Sequence, residues 1–325
     1  MINFRQYPAM TKATIPNNIR LSSGNFSNSF YNMRNLVASN FNHSDVTSMY
    51  QTYWNCSNLT GSPVCGNNVT NMINTYSHCY NLTGSPVCGN KVTSMYRTYH
   101  NCSNLTGSPV CGNNVANMRQ TYYSCYNLTG SPVCGENVTS MDYTYYNCYN
   151  LTGSPVCGNN VTSMYGTYYN CYNLANTGYF YSSKVNSVKN CFYKRDTSKQ
   201  LSLYVPENST TLTTCLTANS YSLVGQSITW TNDMTTNNCY YNTTYNIYIY
   251  PVNSVKEAYL SAEYDMLLVP TSYNDNHVDT VTMQPKTTWV YNAVEETIDN
   301  GCLVSTTIDT EQLIGVTINK VEVTV

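Results

Sequence analysis

Charged residues are scarce in this chain. Its 325 residues include 15 Lys and Arg against 17 Asp and Glu, which gives a formal net charge of −2. A nucleic-acid-binding protein needs a basic face that neutralises phosphates, so we expect no nucleic-acid partner. Long apolar runs are also lacking: none reaches the roughly 18 residues of a membrane-spanning helix, and the N-terminus has no signal-peptide hydrophobic region. We therefore expect neither membrane insertion nor export by a signal peptide.

Catalytic and metal-binding groups are just as sparse. The most regular part of the chain, residues 46–183, has two acidic residues, Glu136 and Asp142, and two histidines, His78 and His100. General acid–base catalysis needs an acid held beside a base, and the positions of these four residues pair none of them. The chain also lacks the C-x-x-C motif that is typical of zinc sites. We therefore expect a non-enzymatic protein with no cofactor and no metal.

Asparagine and tyrosine are abundant, and they belong to a repeat. The sequence has 46 Asn and 33 Tyr but only 6 Phe. The segment VTSMYQTYWNCSNLTGSPVCGNN begins at Val46 and recurs with a strict 23-residue period, starting again at Val69, Val92, Val115, Val138 and Val161. A fixed period of this length is typical of a solenoid, in which each repeat packs only against its neighbours.

The invariant repeat positions predict the core. We call the residues at one position of successive repeats a column; equivalent residues of stacked coils must be alike, because each coil buries its apolar side chains against the next. The predicted core columns begin at Met49, Tyr53, Cys56, Leu59, Val64 and Cys65. Their 23-residue equivalents are Met72, Met95, Met118, Met141, Met164; Tyr76, Tyr99, Tyr122, Tyr145, Tyr168; Cys79, Cys102, Cys125, Cys148, Cys171; Leu82, Leu105, Leu128, Leu151, Leu174; Val87, Val110, Val133, Val156; and Cys88, Cys111, Cys134, Cys157.

One segment of each repeat resembles a strand. We predict that residues 59–65 are extended and pair in parallel with their equivalents, at a spacing of about 4.8 Å. Pro63 removes one backbone donor from each repeat, so this ladder is expected to be short or interrupted. An extended segment places Cys56 and Cys65 well over about 10 Å apart, too far for a disulfide within one coil. Free thiols stacked in columns are the preferred interpretation, although the spacing between coils leaves a bridge between them open.

The repeat V-T-S-M-x-x-T-Y-x-N-C-x-N-L-T resembles the BspA-like, Treponema-type leucine-rich repeats of bacterial surface proteins, over about residues 26–262. The resemblance implies a right-handed leucine-rich-repeat-like coil with a short parallel β ladder. It also implies a degenerate capping repeat at 26–45, where Phe30, Met33, Leu36 and Phe41 take the core positions. At the other end, residues 247–251 resemble a closing strand, followed by a short helix that starts at Ser254, and residues 203–206 resemble the same strand.

These features divide the chain into five parts. Residues 1–25 form either an anchoring arm or a disordered terminus, residues 26–45 a cap, residues 46–183 the regular repeats, and residues 184–262 degenerate repeats with the closing element. Residues 263–325 alternate apolar and polar side chains, which predicts a small β-rich module. The strand-like segments there are 280–283, 289–291, 316–318 and 321–325. We expect this module to attach the chain to other proteins of an assembly or to further copies of itself.

The repeat positions that vary indicate a binding surface, because the core does not dictate them. Column one runs Trp54, Ser77, His100, Tyr123, Tyr146, Tyr169, and column two runs Ser57, Tyr80, Ser103, Tyr126, Tyr149, Tyr172. Column three runs Tyr50, Ile73, Tyr96, Arg119, Asp142, Tyr165, and column four runs Gln51, Asn74, Arg97, Gln120, Tyr143, Gly166. Stacked coils would place these columns on one flank, where tyrosine offers rigid contact area and a hydroxyl. A purely structural role for these rings is an equally open interpretation.

The sequence therefore predicts adhesion. The ligand sites are Trp54, Tyr80, His100, Tyr123, Tyr126, Tyr146, Tyr149, Tyr169 and Tyr172, and the ligand is a host-surface glycan or protein. Low-charge, Tyr- and Asn-rich duplicated repeats also resemble fibre and decoration proteins of gut phages that carry BspA-like repeats, which implies a location in the virion. The alternatives are a bacterial surface adhesin and, third, an intracellular interaction scaffold. If the rings serve binding alone, replacing Tyr123, Tyr146 and Tyr169 by alanine should reduce adhesion without lowering the thermal midpoint.

Overall fold

The computed structural model describes residues 4–14, 23–40, 44–207, 209–217, 224, 239–253 and 255, together with the backbone of four later strands at 266–274, 277–285, 295–299 and 302–306. The chain divides into two compact units, Met1–Asn253 and Ser254–Val325. Each unit is described by itself.

The described residues of the first unit form seven short strands and one helix. Strand β1 (Lys12–Thr14) pairs in parallel with β2 (Ala38–Asn40). A second sheet has the order β3-β4-β5-β7-β6, in which β3 is Val156–Cys157, β4 is Thr177–Phe180, β5 is Leu201–Pro206, β6 is Tyr240–Asn242 and β7 is Ile247–Val252. Only the β6–β7 pair is antiparallel in this sheet. Helix α1 (Thr210–Thr217) follows Ser209, whose hydroxyl accepts the Leu212 N–H as an N-cap.

Successive repeats lie side by side through a regular series of backbone hydrogen bonds. The N–H of Met49 donates to Asn71 O at 2.9 Å, and the N–H of Tyr53 donates to Thr75 O at 2.8 Å. The same donation, to the carbonyl 22 residues ahead, continues through the later repeats. Isolated parallel bridges join Asn25, Ser48, Asn71, Ser94, Asn117, Ser140, Ser163 and Ser187 in sequence. The ladder between repeats therefore lies around residue 48 and along 49–55.

The predicted strand at residues 59–65 is wrong for most repeats. Within the regular repeats only Val156–Cys157 forms a strand there, paired with β4. In all five regular copies, Val156 included, a tyrosine of the next repeat bonds the backbone of the Val64 column: the Tyr76 hydroxyl accepts the Val64 N–H at 2.9 Å and donates to Val64 O at 2.7 Å, and Tyr168 does the same at Val156. Pro63, which has no N–H, is buried beside it. The contact between neighbouring repeats in this segment is therefore short, and it is limited to bonds such as that from the Thr83 N–H to Gly61 O at 3.0 Å.

The core is built from columns. The residues of the Met49, Tyr53 and Cys56 columns are buried, as are those of the Leu59 column up to Leu151. The Thr52 column is buried as well, and so is the Val46 column, which the prediction did not place in the core. The Val64 and Cys65 columns are half-buried apart from Cys157, which corrects their assignment as fully inward positions. The segment that contains these two columns lies at the edge of the core. In it the prolines of the Pro63 column are the buried residues.

An aromatic stack runs through this core. Phe30, Tyr53, Tyr76 and their successors up to Phe192 lie ring on ring, with centroids 5.1–5.6 Å apart and ring planes within 14° of parallel. The N-terminal segment continues the stack, because Phe4 lies 4.7 Å from Phe30. Its N–H donates to Ser29 O at 2.9 Å. Phe4 therefore packs against the degenerate repeat at 26–45. Phe41, a predicted cap residue, lies outside the described residues.

The cysteines of the Cys56 column are free thiols with a fixed partner. Each donates its S–H to the backbone carbonyl 26 residues earlier: Cys79 Sγ lies 3.1 Å from Tyr53 O, and Cys102 Sγ lies 3.0 Å from Tyr76 O. All 14 cysteines whose side chains are described are free. The thiol bonds add side-chain links between repeats that already share backbone hydrogen bonds.

At the C-terminal end of the first unit, the predicted closing strand lies within β7 and the similar segment 203–206 lies within β5. The helix predicted from Ser254 falls almost wholly outside the described residues.

The second unit has four described strands in the order β11-β10-β9-β8. They are β8 (Met266–Asn274), β9 (His277–Pro285), β10 (Glu295–Asp299) and β11 (Cys302–Thr306), and all neighbours are antiparallel. The predicted strand at 280–283 lies in β9, whereas 289–291, 316–318 and 321–325 lie outside the described residues. In the part of the chain described, no helix is long and apolar enough to span a membrane.

Candidate binding surface

Column one forms a continuous aromatic ladder at the surface. From His100 to Tyr193 the ring centroids lie 4.2–4.7 Å apart, and the ring planes are within 19° of parallel. Tyr31 extends the ladder at the other end, with its ring 4.5 Å from that of Trp54. These distances are those of offset-stacked pairs, which contribute roughly 0.5–1.5 kcal/mol each beyond area burial. The ladder therefore stabilises the packing of the repeats as well as offering a surface.

The stacking decides which atoms of column one a ligand reaches. Tyr123, Tyr146 and Tyr169 are half-buried, because each ring covers the face of the next. The interior ring faces of this column are therefore covered by the neighbouring rings. Ring edges and hydroxyls remain available at the surface.

Hydrogen bonds link the tyrosine hydroxyls of this surface, as between Tyr123 and Tyr146 and between Tyr146 and Tyr169. Partial burial and then a hydrogen bond with Tyr165 raise the pKa of Tyr143 to about 12. Partial burial and a hydrogen bond with Tyr169 likewise raise the pKa of Tyr146. The Tyr143 and Tyr146 phenols therefore stay protonated at neutral pH, so that their hydroxyls both donate and accept hydrogen bonds.

The tyrosines of column two are more exposed than those of column one. Tyr80, Tyr126 and Tyr172 are 40%, 38% and 45% exposed. Tyr149 lies 5.0 Å from Tyr126 and 5.5 Å from Tyr172, with all three rings stacked. The serines of this column, Ser57 and Ser103, interrupt the row of rings. The structure thus brings the predicted ligand residues together as two neighbouring rows.

His78 was not among the predicted ligand residues, yet it completes column one. Column one has Ser77 in the second repeat, and the ring of the next residue fills that place, 5.6 Å from Trp54 and 5.3 Å from His100. His78 has a φ of 64°, and its Nδ1 lies 2.9 Å from Ser77 Oγ.

The neighbouring ring, His100, is less basic than an exposed histidine. Burial, and then the nearby charges of His78 and Arg97, lower the pKa of His100 to about 4.

Column four has a backbone conformation that sequence reasoning missed. Its φ values lie between 52° and 59° from Gln51 to Gly166, in the left-handed region that glycine and asparagine tolerate. Tyr143 is a bulky residue in that position, with a φ of 55°. The Tyr143 ring covers Gly166 of the next repeat, where an added Cβ would lie 2.9 Å from Tyr143 Cδ1. The sequence signal was the presence of Asn74 and Gly166 in one column.

Asp142, a predicted non-catalytic acid, is held by structural partners. Its carboxylate accepts hydrogen bonds from the Ser163 hydroxyl and from the Tyr165 N–H, and it lies 3.5 Å from Arg119 Nε. The described residues contain no group of three or more His, Cys, Asp and Glu side chains that would hold a metal ion. Burial raises the pKa of the Cys65 and Cys88 thiols to about 11, which makes them poor nucleophiles at neutral pH.

Comparison with known proteins adds one short similarity. Residues 97–124 match the model of the Kazal-type serine protease inhibitor domain, a family of inhibitors and not of enzymes. The match spans little more than one repeat, and its cysteines, Cys102 and Cys111, are free thiols. Small secreted domains depend instead on disulfides. No curated protein and no solved structure matches the chain.

Proposed function

We propose that the chain is a non-enzymatic adhesive repeat protein that binds a host-surface glycan or protein through columns one and two. In this proposal residues 26–262 form a right-handed solenoid of the BspA-like, leucine-rich-repeat type. The observation that carries the function is the pair of tyrosine rows at the surface of the fourth to sixth repeats. Tyrosine suits such a surface, because it gives a large rigid contact area and a hydroxyl at low entropic cost.

The exposed row is not required for the fold. Ser57 and Ser103 occupy column two in the first and third repeats, and these repeats keep the same backbone bonds and buried columns as the others.

The proposed location is a phage virion, as a tail or head fibre, a receptor-binding protein or a decoration protein, with 263–325 attaching it to other virion proteins. A bacterial surface adhesin is the alternative, and an intracellular scaffold is the third candidate. Electron microscopy of native particles with mass spectrometry separates them. Finding the chain at fixed stoichiometry in purified virions supports the first, and finding it on a bacterial envelope supports the second.

The binding surface is tested by removing hydroxyls while keeping rings. Alanine is a poor probe for Tyr123, Tyr146 and Tyr169, because it would also remove stacking contacts and lower the thermal midpoint. The triple phenylalanine variant keeps the stack and deletes three hydroxyls. We expect its adhesion to a panel of gut bacteria, measured by flow cytometry of the labelled protein, to fall while its thermal midpoint stays near the wild-type value. Unchanged adhesion would remove the column-one hydroxyls from the binding surface.

A further inference from the structure

Column two has an open position inside its row of tyrosines. Ser103 lies between Tyr80 in the repeat before and Tyr126 in the repeat after. Beyond this point Tyr126, Tyr149 and Tyr172 stack without a break. Among the described residues, the ring of Tyr126 stacks only on Tyr149, and the ring contact of Tyr80 is an edge contact with His78 at 5.9 Å. One ring is therefore missing from the row at Ser103.

The equivalent interruption in column one is closed by the protein itself. There the serine is Ser77, and the ring of His78 moves into the row between Trp54 and His100. The residue after Ser103 is Asn104, which has no ring. Its amide Nδ2 donates to Asn81 Oδ1 at 3.4 Å, and its backbone N–H donates to Tyr80 O at 3.3 Å. Asn104 is thus engaged with the preceding repeat, and the position in the row stays open.

We propose that this gap, between Tyr80 and Tyr126 over Ser103, is a binding slot for one pyranose ring of a neutral glycan. The proposal rests on the proposed adhesive function and names the ligand class and the subsite within it.

The spacing of the repeats fits a single ring. Tyr80 and Tyr126 are two repeats apart, which corresponds to about 10 Å at the usual spacing of neighbouring strands. A ring in van der Waals contact on both faces needs about 7–8 Å between the flanking rings. The gap therefore accepts one ring and not two, and it leaves room for the pucker of a sugar chair.

The chemistry of the slot favours a sugar over an aromatic side chain. Its walls are phenol rings, which suit the apolar C–H faces of a pyranose. Its floor is polar: the Ser103 hydroxyl donates to Tyr80 O at 3.2 Å and keeps its own oxygen free to accept a hydrogen bond from a sugar hydroxyl. An aromatic side chain would leave that oxygen unused. No residue that forms the slot carries a charge, which indicates a neutral sugar.

The slot can be closed with a residue that the repeat already uses. Four of the six repeats have tyrosine in column two. In the variant Ser103→Tyr the new ring has a place between Tyr80 and Tyr126 that matches the place of Tyr149 between Tyr126 and Tyr172. The variant is therefore expected to keep or raise the thermal midpoint. The matched control is Ser57→Tyr, which adds the same side chain to the same column and leaves the slot open.

The test uses the full chain and an array of immobilised oligosaccharides with hexose, N-acetylhexosamine, deoxyhexose and sialic acid termini. We expect the wild type and Ser57→Tyr to bind the same neutral oligosaccharides. We expect Ser103→Tyr to bind them about tenfold more weakly or worse, since its tyrosine occupies the site.

Three results would contradict the proposal that a sugar ring binds in the slot. The first is equal binding of Ser103→Tyr and the wild type, and the second is binding by the wild type of sialylated oligosaccharides alone. The third is adhesion of the wild type to cells, lost in the triple phenylalanine variant and retained in Ser103→Tyr. In that third case the proposed function stands and only the slot fails. Absence of any adhesion by the wild type, in contrast, removes the proposed function itself.

Discussion

The hydroxyl of Tyr76 forms two hydrogen bonds with one residue, accepting the N–H of Val64 at 2.9 Å and donating to its carbonyl at 2.7 Å. The arrangement recurs in the next repeats, where Tyr99 bonds to Val87 and Tyr122 bonds to Val110. The same two bonds join Tyr168 to Val156, which lies in strand β3, so the buried phenol satisfies this backbone with or without strand pairing. These bonds explain why the core stack from Tyr76 to Tyr168 uses tyrosine and not phenylalanine.

The first prediction concerns this hydroxyl. Tyr122→Phe keeps the stacked ring and leaves the Val110 N–H and carbonyl without their partner. Loss of a partner for a buried or part-buried polar group costs about 1–3 kcal/mol, so we expect the free energy of unfolding to fall by about that amount. Chemical denaturation measures it.

Tyr126→Phe is the matched control, because Tyr126 is exposed in column two. Its effect should stay within about 0.5 kcal/mol, as for surface substitutions in general. If Tyr122→Phe and Tyr126→Phe lower the free energy of unfolding equally, the hydrogen bonds of the buried hydroxyl do not stabilise the fold.

The second prediction separates buried from half-buried columns. Leu105 is completely buried, whereas Val110 is half-buried beside the Tyr122 hydroxyl. We expect Leu105→Ala to lower the free energy of unfolding by about 2–5 kcal/mol, the range for buried leucines. Val110→Ala should cost less, since it removes fewer atoms from a partly exposed site. A larger loss for Val110→Ala than for Leu105→Ala would reverse our assignment of the core.

The sequence predicted the core columns better than the backbone between them. Strict recurrence identifies Met49, Tyr53, Cys56 and Leu59, because stacked repeats force equivalent residues to be alike. The same recurrence does not distinguish a residue that fills the core from one conserved for its backbone bonds, which is why Val64 was misassigned. The extended appearance of 59–65 gave no sign that a tyrosine 12 residues further along would bond the N–H and carbonyl of Val64.

The surface was predicted as a set of residues but not as an arrangement. Variable columns identified Tyr123 and Tyr146, yet only the folded structure shows that the rings cover each other's faces. The role of His78 was also hidden, because it belongs to the neighbouring repeat position and reaches the row through a left-handed backbone. The repeat position of His78 is asparagine in other repeats, at Asn55, Asn101 and Asn147, where φ is 58–61°. Because asparagine tolerates the left-handed region, these residues could have indicated the left-handed backbone.

The third prediction is a pH dependence of stability that arises from His100. Its pKa is about 4 in the folded protein against 6.5 for an exposed histidine, chiefly because of burial and then because of His78 and Arg97. The unfolded state therefore binds more protons between these two pH values, and stability falls as the pH falls through this window. Above about pH 6.5 the contribution is complete. Thermal midpoints measured from pH 7.5 to 4 should show this decline.

His100→Tyr is the control for this dependence, since Tyr123 and Tyr146 already occupy the same column in later repeats. We expect the variant to be well folded and to show a shallower decline over the same pH range. The pH dependence of the thermal midpoint that remains in the variant arises in part from His78, because burial and Arg97 also lower the pKa of that residue. An identical slope in the variant and the wild type would exclude His100 as its source.

The fourth prediction uses two thiols in one tryptic peptide. Residues 98–119, between Arg97 and Arg119, contain Cys102 and Cys111. Cys102 is buried and donates to Tyr76 O at 3.0 Å, and burial followed by the neighbouring thiols Cys79 and Cys125 raises its pKa well above the ordinary value. Cys111 is half-buried, and burial raises its pKa from 9.0 to about 11.

Alkylation of the folded protein should therefore be slow and selective. Because the thiolate is the reacting form, labelling of Cys111 by iodoacetamide should increase about tenfold per pH unit and keep rising above pH 9, where an exposed thiol levels off. Cys102 should stay unlabelled until the chain unfolds. Fragment ions of the tryptic peptide locate the label, and the denatured protein, in which both cysteines react alike, is the control. Equal labelling of Cys102 and Cys111 in the folded chain would mean that the Cys56 column is open to solvent and that its S–H to carbonyl bonds do not persist.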